Sequence, residues 1–331
     1  MKADNEGPEQ LRMITKVARL YHNRDMRQRE IAERLGVSQA RVSRLLKAAH
    51  DAKIVQTIVV VPRGLHVELE EAMEIKFGLQ EVHIVDVVDD DEAELALYLG
   101  SAVASVLQVF PIDAQTIGFT SWSRALRGMA AALPRLHNSS AVKVVEMLGD
   151  VGPSPIQHKA TDATQRLAAE LGAIPLFLRV PGVVTSSEVR DAIVGHDLHA
   201  QLALRELNNL DLALVGIGNC EIVSPLVAGD NFFSEEQFAY AKEQGAVGQV
   251  NLRFINALGE PVAKPLDNLV IGITLDQLRS TPRRLGVAGG PSKYDAIHAA
   301  LTGGWVNSLV TDVGTAQNLL ARESTTRQVT A

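Results

Sequence analysis

Residues 28–47 read QREIAERLGVSQARVSRLLK, two short helical segments around a glycine. The first is expected over about Arg27 to Leu35, where Gly36 stops it. Ser38 is placed to cap a second, which should end near Ala52 and present Val42, Leu45 and Leu46 inward. Ala32 is small where two crossing helices must approach closely. Gly36 can take the positive φ of the turn, and Val37 and Val42 close the apolar wedge. These placements are those of a helix-turn-helix. Once the core positions are set aside, Ser38, Gln39, Arg41, Ser43, Arg44 and Lys47 remain on the outer face of its second helix, with Gln28 opening the motif. Arginine reaches the guanine O6/N7 edge with two hydrogen bonds, glutamine pairs with adenine, and serine or lysine binds phosphate. A helical hairpin with no nucleic acid role would need the turn but not this set of cationic and amide groups on one face.

On the N-terminal side, Leu11, Ile14, Val17, Ala18 and Tyr21 recur at helical spacing, which predicts an amphipathic helix over about Pro8 to His22. On the other side, Ile54 to Val61 (IVQTIVVV) reads as a strand or wing, broken by Pro62-Arg63-Gly64. Charge marks the same boundary. The chain has 331 residues and a net charge of −7, yet residues 1–50 carry +5, leaving −12 on the rest. A positive head on a negative body suits a local polyanion contact.

Two domains are expected from the length: residues 1–62 and residues 63–331. Apolar residues make up 46% of the chain and charged residues 21%, the balance of a globular protein. No apolar run is long enough to span a membrane, and the first thirty residues mix charges of both signs. A cytoplasmic protein without membrane contact is therefore expected. One cysteine, Cys220, cannot form an internal disulfide or a thiolate metal cage.

Beyond residue 63, a helix from Leu65 to Phe77 leads into alternating strands and helices. Strands are expected at 82–88, 116–120, 142–148, 174–178, 212–217, 269–273, 284–288 and 306–310. Helices are expected at 92–109, 122–132, 159–171, 199–208, 235–244 and 293–301. Val- and Ile-rich strands alternating with helices predict a doubly wound, mostly parallel α/β sheet covered on both faces.

Ligands in such sheets sit beyond the carboxyl ends of the strands. At one such junction, Gly118-Phe119-Thr120-Ser121-Trp122-Ser123-Arg124 enters a helix with three hydroxyls, suited either to an anion or to simple helix capping. At another, Gly286-Val287-Ala288-Gly289-Gly290-Pro291-Ser292-Lys293 pairs two glycines with a lysine. A cation in a first helical turn opposes the helix dipole unless an anion is bound. Val215-Gly216-Ile217-Gly218-Asn219 supplies a third glycine-bearing strand end, without dinucleotide-fingerprint spacing.

Several of these stretches, in order, resemble the SorC/DeoR-type sugar-binding transcriptional regulators of bacteria. They are IAERLGVSQARVSRLL from Ile31, FGL at Phe77, VGIG at Val215, GAVG at Gly245 and AGGPSKYDAI at Ala288. The resemblance implies a winged-type helix-turn-helix joined to an effector domain similar to sugar phosphate isomerases and deaminases. It also implies sugar or sugar phosphate inducers, and assembly into homodimers or homotetramers. By position, Thr120, Ser121 and Ser123, around Trp122, would act with Lys293 to hold a phosphate or terminal hydroxyl. Gly216, Gly218 and Gln249 would line the sugar, beside Gly289 and Gly290. Gln249 stands where an acidic residue is common in the family, and Ser-Trp-Ser replaces Ser-Trp-Gly; an amide at 249 suits a neutral polyol or a sugar phosphate.

The expected function is thus a regulator that binds an operator in double-stranded DNA upstream of a carbohydrate or polyol catabolic operon, responding to a sugar, polyol or sugar phosphate. It needs no cofactor or metal and has no catalytic residues. The alternative is a sugar phosphate isomerase or deaminase with an appended DNA-binding domain. It requires an acid/base pair, for which Gly195-His196-Asp197-Leu198-His199 and Cys220 are the nearest material. A polar helix start explains the former, and an isolated packed thiol the latter. Lys159 reads as a surface lysine.

Overall fold

The computed structural model describes residues 8–55, 65–87, 91–109, 113–136, 139–222, 226 and 229–322. The chain divides into two units, Met1–Pro62 and Arg63–Ala331.

The first unit holds α1 (Pro8–His22), α2 (Gln28–Leu35) and α3 (Gln39–Asp51). Gly36 takes the left-handed conformation (φ 63°) that ends α2, and Val37 N–H returns to the Ala32 carbonyl at 3.0 Å. Ser38 caps α3 by accepting from Arg41 N–H at 3.3 Å. Val17, Leu20, Ile31, Ala32 and Val42 form the core, and Ile14, Ala18 and Ala49 extend it. The buried stripe of α1 centres on Ile14, Val17 and Ala18. Leu11 and Tyr21, expected on it, lie at its margins and are exposed, while Leu20 is buried in their place. Of the expected strand at 54–61, residues 56–61 lie outside the described residues.

The second unit contains α4 (Val67–Phe77), β1 (Glu81–Val85), α5 (Glu92–Val109), β2 (Thr116–Phe119), α6 (Arg124–Ala132), β3 (Lys143–Glu146), α7 (Ser154–Leu171), β4 (Ile174–Leu176), α8 (Ser187–His196) and α9 (Leu198–Glu206). It continues through β5 (Leu212–Asn219), α10 (Glu235–Glu243), β6 (Ala246–Val250), β7 (Arg253–Asn256), α11 (Lys264–Asp267), α12 (Leu275–Ser280), β8 (Arg283–Val287), α13 (Tyr294–Thr302), β9 (Ser308–Asp312) and α14 (Val313–Ala321). The parallel strands run in the order β1-β9-β8-β5-β2-β3-β4, and β6 and β7 add an antiparallel hairpin beside β5.

Alternation along the strands fills both faces. Leu212 and Leu214 of β5 join Ile117, Phe119, Leu285 and Val287 on one side, while Ala213, Val215 and Ile217 join Val145 and Leu309 on the other. A third cluster, with Phe232, Phe233, Phe238 and Phe254, underlies the hairpin.

Two sequence expectations are corrected. Residues 269–273 form no strand, because their backbone groups alternate between partners: Leu269 O accepts from Val184 N–H, Ile271 N–H donates to Gly182 O, and Ile273 N–H donates to Met147 O. The buried Arg253 guanidinium also takes the carbonyls of Ile273 (3.2 Å) and Asp267 (2.6 Å). The helix placed from Lys159 starts at Ser154, with Pro155 in its first turn, and Lys159 is exposed on its second. The hairpin, α8, α11, α12 and α14 carry no counterpart in the sequence reading. The hairpin turn uses Asn251 (φ 48°) and Leu252 (φ 61°) where the usual signal contains glycine.

Candidate functional site

In the first unit, Ser38, Gln39, Arg41, Ser43, Arg44 and Lys47 are all exposed, and Gln28 is half-buried at the start of α2. Burial of Val42 and Ala49 turns the opposite face of α3 to solvent. Among the described residues neither Arg41, Arg44 nor Lys47 forms an ion pair; the one side-chain hydrogen bond among these three cations is Arg44 Nε to the Ala40 carbonyl at 3.4 Å. Three uncompensated cations on one helix face suit a polyanion.

In the second unit, the adjacency β8-β5-β2 brings three loops side by side at the carboxyl edge of the sheet. Thr120 to Ser123 follow β2, Gly216 to Asn219 end β5, and Ala288 to Lys293 follow β8. Several of the sequence-assigned residues lie close together here. A Cβ on Gly216 would lie 2.9 Å from Ser123 Cβ, and one on Gly218 would lie 2.1 Å from Gln249 Nε2. Asn219 Nδ2 donates to the Ser292 carbonyl at 3.2 Å, tying the β5 end to the Lys293 loop.

Within this cluster, burial separates a floor from a rim. Thr120 and Ser121 are buried, as is Gln249, whose Oε1 accepts from Leu252 N–H at 2.9 Å. Thr120 Oγ1 donates to Asn251 Oδ1 at 2.9 Å, leaving the buried Asn251 Nδ2 with no partner. Ser123 caps α6, as its position predicts. Trp122 leans on the phenylalanine cluster with its Nε1 buried and unpaired, and its carbonyl accepts from Arg127. Ser123, Asn219 and Lys293 are half-buried and Arg124 is exposed.

Charges of both signs meet near Lys293. Burial holds the Lys293 ammonium below the ordinary lysine range; nearby Arg124 pushes the same way, and Glu92 opposes both. Arg127 is lowered by burial and by Arg124. A negative charge close to Lys293 or Arg127 would oppose that lowering.

Gly289 and Gly290 are held from below. Asp312 Oδ2 accepts from Gly290 N–H at 2.9 Å, and Thr315 Oγ1 accepts from the same N–H at 2.9 Å. A Cβ on Gly289 would stand 2.2 Å from Asp312 Oδ2, and Gly290 has φ 95°. The loop that carries Lys293 thus requires glycine and depends on Asp312. Sequence reasoning missed Asp312, Asn251 and Arg124. The first was discernible as an aspartate three residues before Thr315 at a strand-to-helix junction; Asn251 had no local signal.

Two of the groups considered for catalysis, Asp197 and Cys220, have structural roles or settings. Asp197 caps α9, its Oδ1 accepting from Ala200 N–H at 2.8 Å, with His196 and His199 exposed beside it. Burial pushes the Cys220 thiol up to about 11, where it is a poor nucleophile. Among the described residues no group of three or more His, Cys, Asp or Glu could hold a metal, and no helix is long and apolar enough to cross a membrane.

Residues 63–321 match the protein family described as "Putative sugar-binding domain", and residues 15–52 match "Sigma-70, region 4". The chain is 30% identical to the deoxyribonucleoside regulator of Bacillus subtilis, over 94% of this chain and 98% of that protein. It is also 30% identical to the sorbitol operon regulator of Klebsiella pneumoniae, over 95% and 99%. The crystal structure of that full-length Klebsiella regulator superimposes with a TM-score of 0.69 at 29% identity, covering 94% of this chain and 99% of the other.

Proposed function

Because this chain belongs to the SorC/DeoR-type family of sugar-binding transcriptional regulators, we propose that it controls a carbohydrate or polyol operon by binding operator DNA through α3 and a sugar, polyol or sugar phosphate at the strand-end site. The observation that carries the reading is the pairing of two chemistries in separate units. The first is a helix face after a helix-turn-helix turn whose Arg41, Arg44 and Lys47 form no ion pair among the described residues; the second is a cluster of serine, amide, arginine and lysine, with Glu92 nearby, at the carboxyl edge of a parallel sheet.

In the DNA-binding role, Arg41 and Arg44 read base edges, Gln39 supplies an amide, and Ser38, Ser43, Lys47 and Gln28 meet phosphates. In the effector role, Ser123 and Lys293 hold the anionic or terminal hydroxyl end, with Thr120, Ser121 and Trp122 shaping the loop behind them. Gly216, Gly218 and Gln249 line the sugar, and Gly289 and Gly290 let backbone approach it. Effector occupancy favours one arrangement of a homodimer or homotetramer by differential affinity, and so changes the spacing of paired reading heads. Half-sites separated by about 10 base pairs, or a multiple of it, match such a pair. The relatives bear regulators' names, which supports a non-enzymatic role, exercised in the cytoplasm.

The test is operator binding by an operator selected from random-sequence duplexes with the full chain. Arg41→Ala and Arg44→Ala are each expected to lose about 1–3 kcal/mol and to relax base preference. Unchanged affinity and unchanged preference in both variants would remove α3 from the DNA.

A further inference from the structure

The α3 face does not exhaust the positive charge of the first unit. A groove of about 840 Å³ runs along the solvent side of α1, lined by Arg12, Lys16, Arg19, Asn23, Arg24 and Arg34. All six are exposed, and no aspartate or glutamate lines the groove. Arg12, Lys16 and Arg19 follow at steps of four and three residues, so their charges stack on one strip of the helix. Like charges at those spacings weaken a helix. A merely solvated face usually offsets them with acids three or four residues away, yet Lys16 and Arg19 have none there. The groove's one ion pair among the described residues is Arg12 with Glu9 at 3.2 Å, between two highly exposed side chains. Arg34 reaches only the Met26 sulfur, at 3.8 Å.

This strip is not the α3 face. Its side chains project away from Ile14, Val17 and Ala18, the residues that pack α1 onto its neighbours. Besides its cations and Asn23 the groove is lined by Leu11, Thr15 and Leu20, and α1 lies outside the α2–α3 pair that presents the base-reading groups. A row of cations fits regularly spaced phosphates, and phosphate contacts carry no sequence information.

We infer that the α1 strip is a second contact, a sequence-independent grip on the phosphate backbone of double-stranded DNA, separate from the base-reading face. This rests on the DNA-binding reading above. The two contacts make different demands. Base reading shows as a preference among sequences, whereas the α1 grip shows as affinity for any duplex and as salt dependence.

The experiment uses the full chain and a duplex of unrelated sequence, with affinity read by fluorescence anisotropy between about 50 and 200 mM KCl. Three variants are compared: Arg12→Ala/Lys16→Ala/Arg19→Ala, Arg12→Lys/Arg19→Lys, and Arg41→Ala/Arg44→Ala. Each phosphate contact contributes about 0.9 to the slope of log affinity against log salt. The triple alanine variant is expected to flatten that slope by about 2 to 3 and to bind at least about tenfold more weakly at the low-salt end. The lysine variant, which keeps the charges, should retain the slope. A triple variant with wild-type slope, while Arg41→Ala/Arg44→Ala weakens binding to the selected operator, overturns the α1 contact and leaves the α3 assignment standing. If neither set alters DNA binding, both readings fall. Because all three α1 positions are exposed, unchanged circular dichroism melting is expected; a loss of slope accompanied by a collapsed melt and not rescued by the lysine variant would count against the inference.

Discussion

Replacing Asp312 with alanine should both destabilise the larger unit and loosen the loop that carries Lys293. The carboxylate, 8% exposed, accepts three hydrogen bonds: from Gly290 N–H at 2.9 Å, Thr315 N–H at 2.9 Å and Thr315 Oγ1 at 2.5 Å. A hydrogen bond to a charged group contributes about 1.5–3 kcal/mol, but the losses here are not additive. Gly290 N–H keeps Thr315 Oγ1 as a second acceptor, and the freed hydroxyl can rotate. The irreducible loss is the Thr315 N–H at the start of α14, a buried donor left unpaired at a helix cap, worth about 1–3 kcal/mol. With a partial contribution from the Gly290 bond, the sum is about 3 kcal/mol. Urea unfolding followed by circular dichroism should show the midpoint falling with little change in slope. Asp312→Asn keeps one oxygen for the cap and should lose about half as much. A loss below about 1 kcal/mol for Asp312→Ala would mean that the carboxylate does not hold this loop, and its place beneath the site would have to be abandoned.

Two further perturbations probe the larger unit. Glu146 is almost fully buried at the end of β3, accepting from Thr164 Oγ1 at 2.8 Å and Leu178 N–H at 3.0 Å, and burial raises it above its ordinary 4.5 despite those bonds. The folded state therefore holds this proton more tightly than the unfolded chain, so the group's contribution to stability falls as pH rises from about 4.5 through the raised folded-state value. Glu146→Gln keeps an acceptor for Leu178 and removes that slope; a wild-type-minus-variant stability difference that stays flat over this window would contradict the assignment. Cys220, with its thiol near 11, should resist a thiol-specific disulfide reagent at pH 8 until urea unfolds the larger unit, and rapid labelling of the native protein would show that the site is open.

How far the sequence carried the reading depended on whether the determining interactions are local. Ala32, Gly36, Ser38 and Val42 act within one turn or one helix crossing, and the structure uses each as its position predicts. The parallel strands were legible because both faces are buried, which leaves continuous Val, Ile and Leu runs. Residues 269–273 looked the same for a different reason. Their apolar side chains are buried, but their backbone is shared among Met147, Gly182 and Val184, none close in sequence. The β6–β7 hairpin escaped notice because Asn251 and Leu252 hold left-handed conformations without a glycine between them. The strand-end loops were identified by their glycines, hydroxyls and lysine. Their supports, Asp312 and Asn251, lie roughly 20 and 130 residues away in sequence from Gly290 and Thr120, and only the sheet order brings them together.

The most direct measurement is the affinity of the full chain for a selected operator, by fluorescence anisotropy, with and without each member of a panel of sugars, polyols and sugar phosphates. At least one compound should shift wild-type affinity by about 5- to 150-fold. Lys293→Ala should bind the bare operator as wild type does, yet show little of that shift. If no compound in the panel alters operator affinity, or if Lys293→Ala responds as fully as wild type, a strand-end carbohydrate receptor governing the DNA-reading helix is contradicted.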